Sequence, residues 1–198
     1  MTNNSNEPFS RSEPRAAPHA PSARVGAAVL ALSGLALLAG CAAPGPAGPS
    51  ARAELLSRSG SSVTGAVDFV QRGNVLVVTG EIRGLKPNAE HGFHVHEKGD
   101  CSAADATSAG GHFNPGGHAH GRAGQGPHHA GDVPNLKADA NGVARVNAEV
   151  SGLSISGTAP DGIIGRGLVV HRDPDDYKSQ PAGNSGPRVA CGVIFAVL

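Results

Sequence analysis

The sequence predicts an all-β domain in which eight short antiparallel strands form a sandwich or a barrel. The composition is one reason. The chain of 198 residues has 29 glycines, many valines, one tyrosine and no tryptophan, which favours short strands and turns over helices. The second reason is that most candidate strands alternate apolar and polar residues, as in AVDFV and VARVNAEV. This period of two is typical of strands with one buried face, and the sequence shows no strong helical period.

Turn-forming residues separate the predicted strands along the chain. These turns contain Ser59-Gly60, Arg72-Gly73-Asn74, Lys86-Pro87-Asn88 and Asn141-Gly142. The strands themselves are predicted at 52–58, 63–70, 74–82, 90–97, 133–138, 142–150, 163–171 and 189–197. Two long inserts, 98–131 and 172–187, interrupt the strands. Loops of this length in a compact domain are usually functional.

The first fifty residues do not follow this pattern. Residues 25–40 form an apolar run of sixteen, which is short for a membrane span and typical of a signal peptide. The run ends in LLAGC, which resembles a bacterial lipobox. We therefore expect 1–40 to be a signal peptide, Cys41 to be lipidated, 41–51 to be a flexible Pro/Gly tether and 52–198 to be the folded domain. An ordinary signal peptide with a chance cysteine is the alternative, and the long polar start indicates a true start codon downstream of Met1.

The cysteines and the charge narrow the class of protein. With Cys41 assigned to lipid, Cys101 and Cys191 are left as a pair, which fits an oxidising compartment outside the cytoplasm. Two buried free thiols are the alternative. We expect the periplasm or cell envelope, with a lipid anchor in the outer membrane because Ala42 follows the cysteine. Sixteen Lys and Arg residues balance sixteen Asp and Glu residues, so nothing indicates a nucleic-acid surface.

Most candidate metal ligands lie in the stretch His91–Asp132, which contains eight of the ten histidines. His94 and His96 are two apart in a predicted strand, so both imidazoles point to one face and can bind one ion. The other histidines follow in a Gly/Pro-rich loop that a metal could organise. An all-imidazole set suits copper and would also hold zinc, whereas three histidines and an aspartate suit closed tetrahedral zinc. The alternative is a His-rich tract that scavenges metal loosely.

Five segments then carry a family resemblance: HGFHVHEKGD, SAGGHFNP, HHAGD, GRGLVVH and GPRVACGVI, in that order. Over about residues 52–198 the chain resembles the copper–zinc superoxide dismutases. The resemblance implies a Greek-key fold and a superoxide dismutase that binds both metals. The implied copper ligands are His94, His96, His112 and His171. The implied zinc ligands are His112, His120, His129 and Asp132, with His112 bridging the two metals.

Two pairs of neighbouring histidines require a choice between candidates. The family spacing favours His120 over His118, and His129 over His128. His118 and His128 are then extra imidazoles, which we expect to be exposed. A second choice of ligand, or an accessory site, is the alternative. His91 opens the first motif, and we expect a structural hydrogen-bonding role for it.

The second long loop resembles the electrostatic loop of the family. Asp175 is implied to orient His94 and His120, with Asp176 as the alternative. Arg188 is implied to lie above copper and to hold a small anion beside it. The loop is shorter than in the eukaryotic form and lacks its glutamates. Pro181 and Ala182 stand where that form has Lys and Thr, and Lys178 could supply positive charge instead.

The implied reaction converts superoxide to dioxygen and hydrogen peroxide by cycling Cu(II) and Cu(I), with a structural zinc. Arg188 and His112 are the implied catalytic residues, and protection of the cell envelope from superoxide is the implied role. A non-catalytic copper-binding module of the envelope and a zinc-only domain are the alternatives. A monomer and a homodimer both stay open, because bacterial and eukaryotic relatives pair through different surfaces.

Overall fold

The computed structural model describes residues 48–197. The predicted signal peptide, Cys41 and most of the predicted tether therefore lie outside the described residues. Across 48–197, no helix is long and apolar enough to cross a membrane.

All eight predicted strands are present, and a short 3₁₀ helix spans Thr107–Ala109. The strands are β1 (Ser50–Ser57), β2 (Thr64–Arg72), β3 (Val75–Arg83), β4 (Glu90–His96), β5 (Asp132–Lys137), β6 (Ala144–Ser151), β7 (Gly167–His171) and β8 (Arg188–Val197).

Most strand boundaries differ from the prediction by one or two residues, and two of the differences, at the starts of β7 and β1, bear on the predicted elements. β7 starts at Gly167 and not at 163, because the chain turns at Gly165, whose φ is +82°, and the Arg166 amide donates to the Ile163 carbonyl at 3.1 Å. The apolar pair Ile163-Ile164 made that turn look like strand. β1 starts at Ser50, so the end of the predicted tether is strand, paired with Val70 of β2.

The eight strands form an antiparallel, nearly closed barrel with the order β5-β4-β7-β8-β1-β2-β3-β6. β3 pairs with β6, and β4 lies between β5 and β7. The pairs β3–β6 and β4–β7 join strands that are not consecutive along the chain, as a Greek key requires. The predicted all-β fold class is therefore confirmed.

The barrel interior holds the inward-facing residues of the alternating strands. Its largest fully buried side chains include Phe69, Phe93, Leu55, Leu76 and Ile82. Burial of each such side chain contributes about 1.5–3 kcal/mol relative to leaving it exposed. On β4 the core takes Phe93 and Val95. Because side chains alternate along a strand, His94 and His96 point away from this core, toward the long loops.

A disulfide fastens the first long loop to the barrel. Cys101 and Cys191 are bonded to each other, which confirms the predicted pair. A small separate core packs around the bond, formed by the loop residues Ala106 and Ala109 with Val169 of β7. The loop is therefore held against the outside of the barrel by covalent and apolar contacts.

Candidate metal centre

Adjacent strands and one loop bridge bring four histidines together. His94 and His96 lie on β4, and β7, which ends at His171, pairs with β4. His112 belongs to the first long loop, but a single antiparallel bridge joins it to His96. All four side chains are buried. Their position therefore depends on barrel backbone even where the residue itself is in a loop.

The predicted ligands form two clusters that share one residue. The first is His94, His96, His112 and His171, and the second is His112, His120, His129 and Asp132. Within each cluster, one potential ligand atom from each residue lies within 4.8 Å of the others. We call these the four-histidine cluster and the aspartate cluster.

In His94, His96 and His171, one ring nitrogen is hydrogen-bonded to a carbonyl or carboxylate oxygen, which leaves the other nitrogen for a metal. A carbonyl can only accept, so Nδ1 of His96 donates to Gly110 O at 2.9 Å, and Nδ1 of His171 donates to Gly186 O at 3.2 Å. Nε2 of His94 lies 2.9 Å from Asp175 Oδ2. The remaining nitrogens, which are Nε2 of His96, Nε2 of His171 and Nδ1 of His94, are left for a metal.

In the aspartate cluster, potential metal-ligand atoms lie close together although not all of them are hydrogen-bonded. Asp132 Oδ1 lies 2.8 Å from His112 Nδ1, and Asp132 Oδ2 lies 3.1 Å from His120 Nδ1. The buried Nδ1 atoms of His120 and His129 nevertheless have no partner in hydrogen-bonding geometry. Three nitrogens that converge on one carboxylate fit a tetrahedral divalent cation such as zinc.

His112 connects the two clusters through opposite sides of its ring. Its Nδ1 faces Asp132, while its Nε2 is buried without a hydrogen-bond partner. The centroid of its ring lies 3.9 Å from that of His94 on one side and 5.4 Å from that of His129 on the other. Each nitrogen is therefore available to a different cluster.

Asp175 contacts one histidine of each cluster. Its Oδ2 lies 2.9 Å from Nε2 of His94, and its Oδ1 lies 2.9 Å from Nε2 of His120. Asp176, the alternative, is exposed and accepts instead from the amides of Lys178 and Ser179. The structure thus places Asp175, not Asp176, against the predicted metal ligands His94 and His120. Burial would raise the pKa of Asp175, but hydrogen bonds with His120 and His94 lower it well below its ordinary value.

Burial favours the neutral form of three histidines of the four-histidine cluster. It lowers the pKa of His94 to about 4 and lowers those of His96 and His171 well below the ordinary value. Neutral imidazole is the form that binds metal. His120 differs: burial opposes its protonation, but the carboxylates of Asp132 and Asp175 raise its pKa to about 9. Two carboxylates therefore favour a positive charge at this position, which a divalent ion supplies when it replaces the proton.

Arg188 lies beside the four-histidine cluster. It lines a cleft of about 340 Å³ together with His96, His112 and His171. Its Nη1 donates to Ala106 O and its Nη2 to Gly110 O, both at 2.6 Å. The half-buried guanidinium is therefore held by the first long loop at the mouth of the cluster.

Gly110 is a site residue that the sequence reasoning missed. Its carbonyl accepts from both His96 Nδ1 and Arg188 Nη2. Its φ of +74° and ψ of −154° lie in a region that essentially only glycine adopts. A carbonyl leaves no side-chain signal in a sequence, and the only available hint was the Gly110-Gly111 pair.

The remaining histidines lie outside both clusters. His118 and His128 line a separate outer cleft, where His118 is exposed and His128 is partly exposed. His91 is buried, and its Nδ1 donates to His171 O at 3.1 Å. It therefore holds the backbone of a cluster histidine. Lys178 is exposed on the second long loop.

Comparison with known proteins gives a consistent result. Residues 63–194 match the family model described as copper/zinc superoxide dismutase (SODC). The chain is 41% identical to superoxide dismutase [Cu-Zn] 2 of Aquifex aeolicus, over 73% of this chain and 85% of that protein. It is 40% identical to superoxide dismutase [Cu-Zn] of Deinococcus radiodurans, over 75% and 86% respectively. Among solved structures it resembles the clock protein EA4, with a TM-score of 0.68, 39% identity, and coverage of 78% of this chain and 99% of that chain.

Proposed function

Because this chain belongs to the copper/zinc superoxide dismutase family, we propose a role for each residue of the two clusters in that enzyme's reaction. The protein is a superoxide dismutase with copper and zinc as cofactors and superoxide as substrate. Copper, when bound, supplies the one-electron chemistry that converts superoxide to dioxygen and hydrogen peroxide. The four-histidine cluster holds copper, and the aspartate cluster holds zinc.

The double use of His112 carries this assignment. One imidazole with its two nitrogens directed to different clusters would be a ligand of both metals. His112 Nε2, on the copper side, is also the atom that can take up a proton and give it to the product. Its Nδ1, which lies 2.8 Å from Asp132 Oδ1, would remain on the zinc side.

Arg188 is proposed to bind the superoxide anion. Its guanidinium remains positively charged at all physiological pH values, and it lines the same cleft as His96, His112 and His171. The two carbonyls that hold it leave the rest of its donor fork free. An anion entering the cleft therefore meets a fixed cation beside the copper-binding nitrogens.

The test of these roles is metal content measured together with superoxide consumption. We expect about one copper and one zinc per chain, and activity that is lost on copper removal and restored by copper alone. His171→Ala should lose copper and turnover while keeping its zinc. The matched control is His118→Ala, which changes an exposed histidine outside both clusters. Full activity in His171→Ala would contradict the copper assignment.

We further propose that the enzyme is exported, anchored by lipid at Cys41, and protects the cell envelope from superoxide. The apolar run 25–40 ending in LLAGC supports export and lipidation. The Cys101–Cys191 disulfide supports a compartment outside the reducing cytoplasm. Neither observation depends on the other.

Cell fractionation and lipid labelling test the anchor. The wild-type protein should incorporate a labelled fatty acid and sediment with outer membranes. Cys41→Ser should remove the label and release active enzyme from the membrane fraction. Equal membrane association of both proteins would reject the anchor, and recovery of the processed protein in the cytoplasm would reject export.

A further inference from the structure

The two long loops meet at His120 through the side chain of Gln180. Gln180 Oε1 accepts from the His120 backbone N–H at 2.8 Å, and Gln180 Nε2 donates to the His120 carbonyl at 2.9 Å. One primary amide therefore bonds both polar backbone groups of one residue, as a neighbouring strand would. We propose that Gln180 is a positioning residue that holds His120 in place for zinc, an inference that rests on the zinc role proposed above.

His120 needs such support because no regular structure holds it. Within residues 48–197, it belongs to no strand or helix, and neither of its backbone groups bonds another backbone group. The other histidines of the aspartate cluster have local support. His112 bridges to His96 of β4, and the carbonyl of His129 accepts from the Asp132 amide at 3.1 Å. Without Gln180, the N–H and the carbonyl of His120 would have no hydrogen-bond partner among the described residues, and the nearest backbone restraint would be the bond from the Gly121 amide to Asp132 Oδ2.

The ring of His120 is already held on both sides. Asp175 Oδ1 lies 2.9 Å from its Nε2, and Asp132 Oδ2 lies 3.1 Å from its Nδ1. These contacts orient the imidazole, and the Gly121 amide donates to Asp132 Oδ2 at 3.2 Å, but none of them bonds the N–H or the carbonyl of His120 itself. Gln180 supplies the missing restraint, because two hydrogen bonds to one residue fix both its position and the orientation of its backbone.

Gln180 is itself anchored within the second long loop. Its Nε2 also donates to Lys178 O at 3.2 Å. The turn before it is closed by Asp176, which accepts from the Ser179 amide at 2.8 Å. Arg122 of the first loop stacks over Tyr177 of the second at 4.9 Å, so the loops touch at a second point. The restraint on His120 therefore comes from an ordered turn.

The test compares zinc release from three holoenzymes, using a colorimetric zinc chelator in excess. Gln180→Met keeps a side chain of similar length and removes both hydrogen bonds to His120, together with the bond to Lys178 O. Since outer partners of metal ligands contribute 10–100-fold in metal affinity, and Gln180 is exposed and acts through the backbone, we expect about tenfold faster zinc release. Gln180→Glu keeps the acceptor for the His120 amide but turns a carboxylate oxygen toward the carbonyls of His120 and Lys178, so it should also release zinc faster than wild type.

Two control variants distinguish an effect on the position of His120 from a general loss of stability. Gln125→Met makes the same substitution at another exposed loop glutamine, whose side chain makes no hydrogen bond among the described residues. Val67→Ala lowers stability through the barrel core, far from the loops in the strand order. Both should release zinc at close to the wild-type rate at temperatures well below unfolding. The visible spectrum of Co(II) placed in the zinc site should change in Gln180→Met alone.

Each result decides the inference. Zinc release from Gln180→Met that is as slow as from Gln125→Met would overturn it. So would a Val67→Ala protein that releases zinc equally fast, since the effect would then follow stability and not position. A wild-type protein that binds copper but no zinc would overturn the zinc role of His120 itself, and with it this inference.

Discussion

Gly110→Ala should lower the stability of this enzyme and disturb Arg188, the arginine proposed to bind the superoxide anion. At φ +74° and ψ −154°, a residue with a Cβ is strained by about 1–3 kcal/mol. The added Cβ would also lie 2.5 Å from Glu97 Oε1. That oxygen accepts from the Gly111 amide at 2.7 Å, so moving it away costs about 1 kcal/mol more. The sum is a destabilisation of about 2–4 kcal/mol, worked from the strain and the displaced bond.

The same change should reach catalysis, because the Gly110 carbonyl holds both His96 and Arg188. Urea unfolding measures the stability, and decay of pulsed superoxide measures kcat/KM in samples with equal copper. Gly111→Ala is the matched control, since its added Cβ has Glu97 Oε1 as its nearest neighbour at an ordinary 3.6 Å. If Gly110→Ala unfolds at the same urea concentration as Gly111→Ala and is equally active, the reasoning is wrong.

Three further predictions concern single side chains. Asp175→Asn should weaken metal binding about 10–100-fold, because an amide can accept from only one of two imidazole N–H groups; competition with a chelator measures this. Arg188→Ala should keep both metals and lower kcat/KM about tenfold or more, with a smaller dependence on salt in steady-state assays. Backbone bonds from Val143 and Asn141 lower the pKa of Asp139 below 3.8. The contribution of Asp139 to the free energy of unfolding is therefore fully present above its ordinary pKa, and it is lost as the pH falls through the lower pKa of the folded state. The difference in unfolding midpoint between wild type and Asp139→Ala should accordingly narrow in acid.

The strands could be predicted because each one carries its own signal. The alternation of apolar and polar residues, as in VARVNAEV, indicates within each strand which face is buried. The error at β7 has the same origin, since Ile163-Ile164 is apolar as a strand would be. The chain turns there because of Gly165, and a single glycine does not reveal its φ in the sequence.

Some residues of the candidate site could likewise be predicted from the sequence, and others could not. Histidine spacing and the family resemblance pointed to the residues of both clusters, and to His120 and not His118. Gly110 and Gln180 were missed because they act on backbone groups of residues distant in sequence. Gln180 and His120 are 60 positions apart. Such partners become visible only when folding has brought the two loops together.

The disulfide has a consequence for when the enzyme becomes competent. Arg188 and Cys191 lie on the same strand, while the carbonyls that hold Arg188 belong to the loop that Cys101 fastens. Before oxidation, the newly made chain lacks the covalent link between the arginine's strand and its anchors. Oxidation of the two cysteines therefore adds the covalent link between the strand of Arg188 and the loop that holds its guanidinium. Under the proposed export, this link would form only after the chain has left the reducing cytoplasm.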